Sequence, residues 1–215
     1  MRAFLLTFAL SLPLLLGGCQ SAYYATMEKV GIHKRDILAD RVESASEAQQ
    51  DAQQQFKSAL EHFRAVVKVD AGELEERYDE LSSEFELSEA AAEDVRNRID
   101  AVEDVAEALF EEWQDELDQY SSASLKAASA RTLRDTQKRY QRLLRAMRRA
   151  EAKMDPVLDK FRDQVLFLKH NLNARAIGAL RGELRGIEQQ VNRLVSEMNA
   201  SIRESEQFVA SLEQN

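Results

Sequence analysis

From Ile37 to Leu212, apolar and small residues return alternately every third and fourth position, and that period decides what this chain folds into. Such spacing lays one continuous stripe along an α-helix, whereas a strand alternates its faces every second residue. The first seam is Leu38, Val42, Ala45, Gln49, Ala52, Phe56, Ala59, Phe63 and Val66, with Gln49 its one plainly polar member. The second runs through Leu74, Tyr78, Leu81, Phe85, Ser88, Ala92, Val95, Ile99, Val102, Ala106, Leu109 and Trp113. A third holds Leu133, Thr136, Tyr140, Leu143, Met147, Ala150 and Met154. After one small slip it continues through Val157, Phe161, Val165, Leu168 and Leu172. The last is Leu180, Leu184, Ile187, Val191, Leu194 and Met198, followed by Ile202, Val209 and Leu212.

Composition supports helices. With seven glycines, two prolines and 7% aromatics, the chain is dominated by Glu, Gln, Ala, Leu, Lys and Arg. These residues lose little freedom in a helix. An apolar content of 44% is that of a folded chain. The expected fold is all-α, an elongated antiparallel helical bundle or coiled coil of three to four long helices across residues 32–215.

The breaks set the helix count. Asp70-Ala71-Gly72 interrupts the pattern, and Gly72 suits the left-handed position that ends a helix. Ser121-Ser122-Ala123-Ser124 is the next turn, since serines favour caps. At Asp155-Pro156 two readings stand. Asp as N-cap with Pro at the first helical position starts a new helix, whereas the continuing seam favours one kinked helix. A reversal at Asn171-Leu172-Asn173 makes four helices of about 36, 47, 47 and 40 residues; without it the chain is a three-helix rod.

The N-terminus carries an address. Arg2 precedes an apolar run, Ala3 to Leu16, too short for the roughly 20 residues that a membrane span needs. Leu16-Gly17-Gly18-Cys19 resembles the bacterial lipobox, which implies cleavage of residues 1–18 and lipidation of Cys19. Cys19 is the one cysteine, so no internal disulfide forms and acylation (palmitate among the chains) accounts for the thiol. Gln20, rather than Asp, points by the same resemblance to the periplasmic face of the outer membrane. Residues 19–31 then form a tether. There Tyr23, Tyr24 and Lys29, with His33, Lys34 and Arg35 just beyond, either meet the headgroups or simply start a helix.

Charge is uneven. The chain carries −9 overall, and −10 (28 − 38) once residues 1–18 are removed, which argues against nucleic acid as a partner. Between Glu73 and Asp118 there are 19 acids and three bases, and between Lys126 and Lys153 ten bases and two acids. Opposite signs favour pairing of these two helices. Arg134, Lys138, Arg142, Arg145, Arg148 and Arg149 fall on the outer side of the third seam. They form a solvated face that balances the acidic helix or, alternatively, a stripe for an anionic partner. Ala174, Gly178, Gly182 and Gly186 recur every fourth residue. They offer a flat face for close approach of another helix or another copy, or else mark a locally weak helix.

Motifs for catalysis or metals do not emerge. His33, His62 and His170 have no Glu three residues before them, and neither a His-Glu-x-x-His nor a phosphate-binding glycine loop occurs. No enzyme activity, metal or cofactor is expected.

Several stretches, Lys34-Arg35-Asp36-Ile37-Leu38, Leu109-Phe110-Glu111-Glu112-Trp113, Ala146-Met147-Arg148-Arg149-Ala150-Glu151 and Leu168-Lys169-His170-Asn171-Leu172-Asn173-Ala174, carry a further resemblance. The chain resembles an uncharacterised family of Gram-negative envelope lipoproteins, a domain of unknown function, over nearly its whole mature length. The resemblance implies the fold and the anchor and brings no activity. The expected role is a lipid-anchored periplasmic scaffold engaging another envelope component. The alternative is a binding module that takes an anionic lipid or glycan on its basic helix face.

Overall fold

A computed structural model describes residues 33–68 and 73–213; Cys19 and the stretches expected to be leader and tether, like Gly72, lie outside them. Five helical segments form four rods: α1 (Lys34–Val66), α2 (Leu74–Leu117), α3 (Ala123–Glu151), α4 (Met154–His170) and α5 (Ala174–Glu213). At 1.5 Å per residue, α2 is roughly 66 Å long and α5 roughly 60 Å. No strand occurs among the described residues, and none of their helices is long and apolar enough to cross a membrane.

The seams place the core. All nine α1 seam positions are fully buried, Gln49 included. On α5 the burial differs from expectation after Met198. Ser201, Ser205, Phe208 and Leu212 face inward, while Ile202 and Val209 are only half-buried. The three–four alternation runs on through two serines, small enough to sit where the helices approach closely, so periodicity outweighs hydropathy there. Leu172 also leaves the core. It lies in the α4–α5 turn, 41% exposed.

The helix ends have local causes. Ser122 caps α3 by accepting from the Leu125 amide, and Asn173 caps α5 by accepting from the amides of Arg175 and Ala176. Glu75 and Glu76 sit in the first turn of α2, where the helix dipole favours acids. The α3–α4 break falls at Ala152-Lys153, ahead of the proline. Pro156 is the third residue of α4, and its ring denies the Ala152 carbonyl a donor and crowds it. The N-cap is Lys153 rather than Asp155.

Cross-helix contacts fix the topology. Lys34 pairs with Glu112 at 2.9 Å and Gln55 with Glu84 at 2.8 Å, so α1 and α2 are antiparallel. Gln53 reaches Asn199 and Arg64 reaches Glu188, which sets α5 antiparallel to α1. Along α2, Glu103, Arg96 and Glu89 meet Arg148, Asp155 and Arg162 in turn. The chain therefore runs on in one direction through the break, as a continuing rod. It then reverses at Asn171–Asn173. The result is an up-down-up-down four-helix bundle in which α1 and the α3/α4 rod stand diagonally, each flanked by α2 and α5.

Candidate functional site

The most strongly basic surface is the outer side of α3, and the bundle divides it. Arg148 is not free. Its guanidinium bonds Asp100 of α2 at 2.6 Å, Glu151 at 2.8 Å and also Glu103. Arg149 leans the other way, toward Glu197 of α5 at 3.6 Å. Arg148 is thus held in the bundle's own ion pairs, whereas Arg149 stays exposed beside its one cross-helix partner. The reason is geometric: α3 is wedged between two acid-bearing helices, and at this level its flanking positions reach them.

The remaining members stay on the surface. Arg134, Arg142 and Arg145 are exposed and make no ion pair among the described residues, while Lys138 makes only a 3.4 Å contact with its helix neighbour Asp135. Lys138, Arg142 and Arg145 line one shallow concavity together with Asp135, Arg139 and Gln141. These four bases run from Arg134 to Arg145, across the middle of α3.

Beneath it Tyr140 packs edge-on to Phe110 (centroids 5.4 Å apart) and against Phe208 (6.2 Å). Burial, helped by Glu107 and Asp104, pushes its phenol up to about 12. At the end of the bundle where α1 begins, Trp113 donates its indole N–H to Ser129 at 2.8 Å, joining α2 to α3. At the same end, Lys34 pairs with Glu112 at 2.9 Å. Where α1 meets α2, His62 lies 3.5 Å from Glu80 and 3.6 Å from Glu84. A hydrogen bond from Arg77 holds the Glu80 carboxyl below its ordinary value.

The glycine face is open. Gly178, Gly182 and Gly186 are exposed, and a Cβ added at any of them meets nothing within 4 Å. No described helix comes close there; the Ala174 side chain lies outside what the structure describes. Among the described residues no three His, Cys, Asp or Glu side chains are grouped to hold a metal ion.

Fold and surface define an all-α, elongated four-helix bundle with a charged outer face on α3. The chain belongs to the family described as "Protein of unknown function (DUF2959)", whose model matches residues 23–212. No curated protein and no solved structure matches it.

Proposed function

We propose that this protein is a non-catalytic scaffold of the bacterial envelope, tethered through lipid on Cys19 to the periplasmic face of the outer membrane. The reading rests on one combination: a lipobox-like Leu16-Gly17-Gly18-Cys19 stands just ahead of a rod nearly 70 Å long. A rod tied at one end holds its outer faces at a set distance from the membrane, which is what a spacer or adaptor needs. Several acyl chains on one cysteine give a stable anchor, whereas a single chain binds only marginally. The test is twofold. Labelled palmitate should enter the wild type and not Cys19→Ala, and crosslinked envelopes should return a reproducible protein partner. Unlabelled wild-type protein would sink the anchor.

A second reading, that α3 takes an anionic lipid or glycan, is favoured by Arg134, Arg142 and Arg145, which are exposed and unpaired among the described residues. Arg134 lies about 18 Å along α3 from its start and Arg145 about 35 Å. Lipid headgroups of the anchoring leaflet would therefore meet the stripe only if the rod lay flat. Copurifying lipid or glycan, lost in Arg142→Glu/Arg145→Glu, is the expected signature of this reading.

A further inference from the structure

The outer face of α3 has a counterpart elsewhere on the same rod. Between α1 and α5 runs a groove of about 390 Å³, edged by Glu43 and Glu47 of α1 and by Glu206 and Glu213 of α5, with Val209 and Ala210 along it. All four carboxylates are exposed, and none forms an ion pair among the described residues. Arg98 of α2 feels Glu47 but is bonded to Asp94 at 2.8 Å. Four like charges along one groove repel each other, and a row of cations from outside relieves that repulsion.

The two surfaces match in height. Tyr140 of α3 touches Phe208 of α5, which puts the stretch from Lys138 to Arg142 level with the stretch from Glu206 to Val209. Arg134 to Arg145 spans roughly 17 Å and Glu206 to Glu213 roughly 10 Å, so the stripe covers the groove without an axial shift. They cannot meet within one chain, because α1 and α3 are diagonal and α3 turns its basic side away from the bundle.

We propose that copies of this chain assemble side by side and parallel, the basic face of α3 in one seated on the α1/α5 acidic groove of the next. The contact is between two different surfaces, so it leaves a free groove and a free stripe at the ends of a row and propagates instead of closing on a two-fold axis. Parallel packing at equal height is also what copies tethered by the same end to one membrane require, although the contact itself does not depend on the anchor. Exposed ion pairs are individually weak and salt-screened, so the assembly should be salt-sensitive.

Sedimentation of the full chain in density-matched detergent tests this. Species of at least twice the monomer mass are expected at about 20 mM salt and monomer at about 500 mM. Arg142→Glu/Arg145→Glu alone and Glu47→Arg/Glu206→Arg alone should each stay monomeric, and mixing the two should restore assembly, because each then offers the other a surface of opposite sign. All four positions are exposed, so unchanged melting curves should confirm that both variants fold. Monomer under every condition, assembly unmoved by either variant, or failure of the mixture to recover would each overturn the proposal. So would a monomeric wild type whose binding to phosphatidylglycerol vesicles is lost in Arg142→Glu/Arg145→Glu, since the face would then belong to lipid.

Discussion

Arg148 of α3 and Asp100 of α2 lie 2.6 Å apart, and the same guanidinium also holds Glu151 at 2.8 Å. One base therefore serves the helix pair and its own helix together, which an isolated surface ion pair does not do. A half-buried guanidinium shared by several carboxylates is worth more than an exposed pair. Arg148→Ala should lower the unfolding free energy by about 1 kcal/mol, whereas Arg142→Ala should change it by less than about 0.5 kcal/mol. Urea midpoints of the two variants check this. Equal losses would mean that the division of the stripe is wrong.

Gln49 sits fully buried on the α1 seam, and neither its Nε2 nor its Oε1 has a hydrogen-bond partner among the described residues. The Gln53–Asn199 bond one turn away places it near the level of Ser201 on α5, whose buried hydroxyl is likewise unpartnered among them. A buried unsatisfied amide costs about 1–3 kcal/mol, so Gln49→Leu, of similar volume, should stabilise the fold by that order. The gain should come with looser specification of helix register, the role that single polar core residues serve in coiled coils. Chemical denaturation measures the first effect, and broadening of side-chain NMR signals the second. A destabilised Gln49→Leu would show that the amide is satisfied in solution.

Gly178, Gly182 and Gly186 stand in the interior of α5 with open space where a side chain would project. Alanine at each should raise stability by about 0.8–1 kcal/mol, since only backbone entropy changes. Thermal melts of the single and triple variants test it. Destabilisation at any of the three would reveal a close neighbour, such as a second copy packed on that face.

Tyr140 gives the fold an alkaline limit. Its folded value, about 12, lies above the ordinary 10.0, so the folded state favours the neutral phenol. Stability from this group is fully present below pH 10 and is lost as the pH climbs toward 12, by an amount on the order of 2 kcal/mol. Tyr140→Phe should remove that extra loss while leaving stability at pH 7 nearly unchanged, because no hydrogen bond of the hydroxyl is found among the described residues. Urea unfolding at pH 9 and pH 11 compares the two proteins. Identical pH slopes would rule out burial of this phenol.

Much of the fold was legible before any coordinate. The α1 seam matches burial at every position because a strict three–four alternation leaves one face of a helix to bury. Ser201 and Ser205 lack a hydropathy signal, so Ile202 stands out in the sequence although the period runs through the serines. Proline marked the break but not its place, since the ring disturbs the turn before it rather than its own residue. Of the basic stripe, residue type and face are readable, but the cross-helix ion pairs of Arg148 and Arg149 are not. Their partners, Asp100, Glu103 and Glu197, lie on other helices. The acidic groove had no signal at all, because Glu43 and Glu206 are far apart in the chain and share a surface only once α1 and α5 are neighbours.

The heptad period by itself determined that this chain is helical, which residues go inside and roughly where it turns. The reason is that burial of a stripe depends only on spacing along one helix. The same stripe is satisfied by any partner with a stripe of its own, so spacing says nothing of who stands beside whom. Tertiary structure decided that: the reversal at Asn171–Asn173, the square of four rods and, through it, which charges are consumed. Ion pairing acts over a few ångströms between helices, and only the packed bundle sets those distances.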